Sequence, residues 1–198
     1  MTLPPQPETF RVTFLVAQAL ENLEIPYLIC GSLASAVHGL TRSTMDADLV
    51  ADIRPEHVQP LIQSLGAGFY IDDEMIYQAI NHKSSFNLIH LVTLFKVDIF
   101  VLRQRPYDHE QMARRTTQTL DATIDRQAYM ATAEDTILAK LEWYRMGDEV
   151  SERQWRDVLG VMAVQGERLD LAYLRQWAAE LKVSDLLERA LDESREGD

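Results

Sequence analysis

The stretch Tyr27-Leu28-Ile29-Cys30-Gly31-Ser32, followed after thirteen residues by Asp46-Ala47-Asp48-Leu49-Val50, decides the reading of this chain. A third segment, Leu94-Phe95-Lys96-Val97-Asp98-Ile99-Phe100-Val101, completes it. Side chains alternate along an extended strand, so Asp46 and Asp48 project from one face. Asp98 sits in an apolar run where a buried strand disfavours aspartate. Burying an unpaired carboxylate is costly, and three gathered together repel one another. Divalent cations among them resolve both difficulties. Hard oxygen donors suit Mg²⁺, which takes one or two protein carboxylates and completes its shell with substrate phosphate oxygens. Gly31 permits close backbone approach, and the helix expected after it presents amides to phosphate. The candidate catalytic and metal-binding residues are therefore Asp46, Asp48 and Asp98, with Gly31 and Ser32 as candidate triphosphate-binding residues. Taken singly, the same residues read as solvated loop acids and an ordinary strand-to-helix turn. Taken jointly, they point to a metal-dependent site for nucleoside triphosphates.

The rest of the composition narrows the class. A length of 198 residues suits one large domain, or a domain with a helical appendage. Hydrophobic content of 46% with 25% charged residues excludes wholesale disorder. No apolar stretch approaches the roughly 20 residues of a membrane helix. The leading Met-Thr-Leu-Pro-Pro-Gln-Pro-Glu has neither a basic region nor an apolar core, so it does not read as a signal peptide. The lone Cys30 excludes an intrachain disulfide and suits a reducing, cytoplasmic setting. It reads as a small core residue. No Cys/His cluster has zinc spacing, and no Ser-His-Asp order is recognisable. A net charge of −12 argues against a simple nucleic-acid binder. Part of that charge is local to the acid-rich tail from Asp185 to Asp198. Positive charge gathers at Arg103, Arg105, Arg114 and Arg115, where a polyanion could dock.

Hydrophobic periodicity gives the element order. It predicts a helix over Phe10–Leu23, a strand over Tyr27–Cys30, and a small-residue helix to about His38, capped by Ser32. A strand follows over Asp46–Asp52, then a helix from Pro55 to about Leu65, ended by Gly66. A short strand at Phe69–Ile71, a short helix at Asp72–Ala79, and strands at Phe86–His90 and Phe95–Leu102 come next. Short extended pieces are expected near Thr117–Thr123 and Tyr129–Ala131. Thr132 caps a helix to about Met146. Ser151 caps another, with Trp155, Val158, Leu159 and Met162 as its apolar stripe. Helices over Leu171–Leu181 and Ser184–Leu191 close the chain. The fold class expected is α+β: a small mixed β-sheet core flanked by helices over residues 1–105, and a mainly helical region over 106–198 packed on it.

The motifs resemble those of the nucleotidyltransferase superfamily that includes DNA polymerase β. Its signature is apolar-Gly-[Gly/Ser], nine to thirteen residues, Asp-apolar-[Asp/Glu]-apolar, and a third acid on a later strand. Further on, Ile137-Leu138-Ala139-Lys140-Leu141-Glu142 and Arg156-Asp157-Val158-Leu159 resemble the "KL … RD-x-x-DL" region of AbiEii-type nucleotidyltransferases. The likeness covers about residues 25 to 165. It implies a Mg²⁺-dependent transfer of a nucleoside monophosphate from a triphosphate to a hydroxyl acceptor, with Asp98 also able to act as base. It also implies that Lys140 contacts phosphate with Asp157 opposite it, although a paired Lys–Asp between helices needs no chemistry. Arg42, in the loop before the acids, would reach the phosphates or simply be solvated. RNA, and tRNA in particular, is the first acceptor the resemblance implies. A small aminoglycoside-like molecule and a protein are the others. A toxin role implies an antitoxin protein as partner. The competing class is a catalytically silent nucleotidyltransferase-fold module that binds or regulates a partner.

Overall fold

The structure is a computed structural model that describes residues 8–40, 44, 46–121 and 126–196. Its fold follows from two sequence periods, alternation in strands and helical spacing in helices, mixed through the first two-thirds of the chain and helical alone in the last third. The chain forms two compact units, one of residues 1–29 and 44–130 and the other of residues 30–43 and 131–198.

The first unit is built on a seven-stranded sheet. Its strands are β1 (Tyr27–Cys30), β2 (Asp46–Ala51), β3 (Phe69–Tyr70), β4 (Ser85–His90), β5 (Lys96–Val101), β6 (Thr116–Asp121) and β7 (Arg126–Met130), in the spatial order β3-β4-β5-β2-β1-β7-β6. The pairs β2/β5 and β1/β7 are parallel, and β3/β4, β4/β5 and β6/β7 are antiparallel. The sheet is therefore mixed, as expected. Helices α1 (Glu8–Asn22), α3 (Val58–Leu65) and α4 (Asp73–His82) pack together and against β2, β4 and β5.

They cover the apolar face of those strands. Ala47, Leu49 and Ala51, Val97, Ile99 and Val101, and Phe86 and Leu88 are all buried. Each fully buried aliphatic side chain contributes roughly 1.5–3 kcal/mol relative to exposure. The residues between them in sequence face the other way and are only half-buried or exposed. α4 runs three residues beyond the expected end at Ala79. Asp72 caps its start by accepting from the Met75 amide, and Lys83 stops it in a left-handed conformation (φ 50°). A short helix α5 (Pro106–Arg114) precedes the β6–β7 hairpin.

The second unit is a helical bundle: α2 (Gly31–His38), α6 (Ala133–Met146), α7 (Glu152–Gln165), α8 (Leu171–Glu180) and α9 (Ser184–Glu196). Here α2 packs on α6 and α7, and α9 packs on α7 and α8. Two expected caps are in place. Thr132 accepts from the Asp135 amide and Ser151 from the Gln154 amide. A buried carboxylate, Asp135, is held by the Thr132 hydroxyl (2.8 Å) and the Tyr173 hydroxyl (2.6 Å), so its burial is compensated. Gly39 lies so close to α7 that an added Cβ would stand 2.8 Å from the Val161 nitrogen. Only a glycine permits that approach.

Tyr144 and Trp155 are buried, and Trp143 is largely exposed, so these aromatics serve as core and rim. His38 is tied to Ala131 O, 93 residues further along the chain, by its Nε2 at 2.7 Å. Among the described residues, no helix is long and apolar enough to cross a membrane.

Candidate active site

The acids arise from strand register. β2 and β5 run parallel with Asp48 as the Cα partner of Asp98 and Asp46 as the partner of Lys96. Partners on adjacent strands sit about 4.8 Å apart. Asp46, Asp48, Lys96 and Asp98 therefore share one sheet face, opposite the helix-covered one. That face is only partly covered: Asp46, Asp48 and Val50 on β2 and Asp98 and Phe100 on β5 are half-buried and Lys96 is exposed, alternating with buried aliphatic residues. On the other side of β5, antiparallel pairing makes Asn87 the partner of Asp98. Asn87 is half-buried and adds an amide to the same face.

Asp46 and Asp98 have local support. Thr44 Oγ1 donates to Asp46 Oδ1 at 2.9 Å and to the Asp46 carbonyl at 3.0 Å. Lys96 Nζ lies 2.7 Å from Asp98 Oδ2. The lysine pKa is raised, first by its hydrogen bond to Asp98; burial opposes the shift, and the charges of Asp98, Asp46 and Asp48 add to it. Lys96 stays protonated at neutral pH and offsets one of the three negative charges.

The donor set suits Mg²⁺: carboxylate oxygens from two adjacent strands, with Asp48 and Asp98 directly opposed. Among the described residues, no three His, Cys, Asp or Glu side chains are gathered tightly enough to hold a metal ion by themselves. An ion here would draw the rest of its shell from water or phosphate, as Mg²⁺ commonly does.

The remaining candidates fall in the second unit, apart from Arg42, which lies outside the described residues. Gly31 follows β1 directly and adopts φ 60°, the left-handed region that suits glycine. This turn sets the helix start two residues earlier than expected. Cys30, not Ser32, takes the N-cap position, without a side-chain cap, and Ser32 is buried inside the first turn. Arg153 Nη2 lies 3.5 Å from Ser32 Oγ, a cation near the turn that sequence reasoning did not single out. Lys140 Nζ donates to Asp157 Oδ2 at 2.7 Å and to Gln154 Oε1 at 2.9 Å. The side chains of that ion pair are 5% and 9% exposed.

Two of the arginines that follow the Asp98 strand in sequence have partners of their own. Arg105 is engaged by both carboxylate oxygens of Asp108 at 2.8 Å, and Arg115 stacks over the Tyr129 ring at 4.7 Å. A cavity of about 480 Å³ is lined by Glu21, Tyr27, Arg115, Gln127 and Tyr129 among others, and by none of the three acids. Burial, then the hydrogen bond to Glu21, pushes the Tyr27 phenol far above its ordinary value, so it remains a hydrogen-bond donor.

Comparison with solved structures places this architecture. The chain resembles an antigenic nucleotidyltransferase-like protein from Paracoccidioides brasiliensis over 92% of its own length and 94% of that chain, with a TM-score of 0.56 and 21% identity. The fold is a nucleotidyltransferase fold. The antibiotic-resistance factor ANT(2'')-Ia is similar over 94% of this chain and 98% of its own, with a TM-score of 0.55 and 14% identity. The same enzyme in complex with adenylyl-2''-tobramycin aligns over 89% and 98%, with a TM-score of 0.58 and 12% identity. No protein-family model matches the chain, and no curated protein matches it in sequence.

Proposed function

We propose that this protein is a Mg²⁺-dependent nucleotidyltransferase that moves a nucleoside monophosphate from a triphosphate to a hydroxyl acceptor. The observation that carries the reading is the register pairing of Asp48 with Asp98 on the half-open face of a nucleotidyltransferase-fold sheet, with Asp46 one step along. When bound, Mg²⁺ would neutralise charge on the leaving pyrophosphate and lower the pKa of the attacking hydroxyl. Asp46, Asp48 and Asp98 would hold the metal. The acceptor oxygen attacks the α-phosphorus, the bond to the bridging oxygen of the β-phosphate breaks, and pyrophosphate departs with that electron pair. Asp98 would accept the hydroxyl proton. Gly31 and Ser32 are proposed to bind the triphosphate through backbone amides at the start of α2. Arg42 is proposed as a further phosphate contact. Lys140 and Asp157 enter this reading through family resemblance, and their mutual burial suits a brace between α6 and α7.

The acceptor we favour is a small, cationic, polyhydroxylated molecule. A chain of net charge −12 attracts such a substrate and repels a polyanion. ANT(2'')-Ia, similar in fold over 98% of its own chain, forms a complex with adenylyl-2''-tobramycin. RNA, and tRNA in particular, is the second reading, carried by the AbiEii-type motifs around Lys140 and Asp157. It would bring an antitoxin protein as partner and a cytoplasmic setting. A silent regulatory module is the third, and the ion pair of Lys96 on Asp98 is the observation in its favour. Incubation with each triphosphate labelled on its α-phosphate, Mg²⁺, and in turn an aminoglycoside panel, total RNA and lysate protein separates the three. Label on an aminoglycoside supports the first reading and label on RNA the second. No label on any acceptor supports the silent module.

A further inference from the structure

Lys96 is a cation on the acid face, and its chemistry opposes metal binding. It opens β5 two residues before Asp98, so the two side chains rise from the same side of the strand. Register sets it directly opposite Asp46, and its Nζ is 2.7 Å from Asp98 Oδ2. All three acids act on its charge. A divalent ion approaching Asp98 therefore meets a resident cation on the oxygen it would ligate. The lysine side chain is 45% exposed and that of Asp98 only 20%, so the ammonium can leave for water while the carboxylate stays in place. Exposed ion pairs of this kind are held weakly, which makes such a displacement inexpensive.

We infer that Lys96 is a positioning residue that occupies the Asp98 carboxylate in the free protein and is released to the triphosphate when metal and nucleotide arrive together. The inference rests on the proposal that the three acids bind metal. It makes the site selective for the metal–nucleotide complex over the free ion. Without nucleotide, the lysine competes with the metal for one carboxylate. With nucleotide, the displaced ammonium gains a phosphate partner, for which lysine acts as a compact point charge.

Removing the charge should therefore change two affinities in opposite directions, which a lysine that merely braces the strand would not do. Binding of Mn²⁺ alone, read from the free-ion paramagnetic resonance signal, should tighten roughly three- to tenfold in Lys96→Met, the scale of one unit charge a few ångströms from a divalent ion in a water-like medium. Binding of Mn²⁺ with an ATP analogue carrying a methylene bridge between the α- and β-phosphorus should weaken by a similar factor. Lys96→Arg should keep both native values to within about twofold, because its charge is retained. Lys96→Gln is measured in parallel, so that a folding defect in one neutral variant does not decide the outcome. If both neutral variants bind Mn²⁺ and the analogue like the native protein, while Asp48→Asn loses Mn²⁺, the role given to Lys96 is overturned and the metal site stands. If no folded variant binds Mn²⁺ at millimolar concentration, the metal site falls and the role of Lys96 with it.

Discussion

Asp48 and Asp98 are register partners on adjacent parallel strands, two carboxylates set directly across from each other on one sheet face. Like charges in that relation destabilise a sheet by roughly 0.2–1 kcal/mol. A sequence that served stability alone would not hold them there.

Asp48→Asn relieves that repulsion but also gives up the attraction between Asp48 and Lys96, so it should change stability by less than about 1 kcal/mol in denaturant melts. A loss of more than that amount would mean that Asp48 is a structural residue with an essential partner, and would weaken its assignment as a ligand.

Lys140 and Asp157 behave differently in this account. Both side chains are almost fully buried and 2.7 Å apart, with Gln154 completing the contact. Removing one member strands the other, so Lys140→Met should cost about 3–5 kcal/mol. The double variant Lys140→Met/Asp157→Leu should recover part of that loss. If Lys140→Met melts normally and loses nucleotide binding instead, Lys140 is the phosphate contact that family resemblance implies.

Gly39 tests the packing of α2 on α7. Its Cβ would meet the Val161 nitrogen at 2.8 Å and the Gly160 carbonyl carbon at 2.9 Å, and backbone cannot yield as a side-chain tip can. Gly39→Ala should destabilise by roughly 1–3 kcal/mol, the scale of core overpacking. A neutral effect on the urea midpoint would show that the two helices separate easily.

The C-terminal helix carries a pH-dependent anchor. Trp155 Nε1 donates to Glu193 Oε2 at 2.7 Å, and Arg189 reaches Glu193 Oε1 at 2.8 Å. The tryptophan hydrogen bond first, and then the arginine, hold the Glu193 carboxyl below its ordinary value. The contribution is thus complete above the unfolded glutamate pKa of about 4.3 and is lost as pH falls through the lower folded value. Trp155 fluorescence should report loosening of α9 below about pH 4.3. Glu193→Gln should flatten that acid-side transition. A transition unchanged by Glu193→Gln would assign it to other carboxylates.

How much of this was legible in the sequence depends on how local each signal was. The alternation of Asp46-Ala47-Asp48-Leu49 encodes strand and face together, because two is the only period that puts both acids on one side. The caps at Thr132 and Ser151 were equally local. Ser32 misled because a polar residue before a small-residue helix looks like a cap, whereas Gly31 takes the positive φ and starts the helix itself. The polar run Thr116-Thr117-Gln118-Thr119 gives little strand signal, yet its pairing with β7 adds it at the sheet edge. Lys96 and Asn87 stood beside the decisive motif without notice. Their importance lies in register: Lys96 faces Asp46 across fifty residues of chain, and Asn87 faces Asp98 through an antiparallel pairing. No local pattern announces either relation.

The most direct test of the central claim is the melting temperature with Mg²⁺ and each common nucleoside triphosphate. A ligand that binds only the folded state stabilises it by about 2.7 kcal/mol at a hundredfold excess over its dissociation constant. At least one triphosphate with Mg²⁺ should therefore raise the melting temperature of the native protein, EDTA should abolish the rise, and Asp48→Asn, although folded, should blunt it. A native protein whose melting temperature is unmoved by every triphosphate at millimolar concentration with Mg²⁺ would contradict the account.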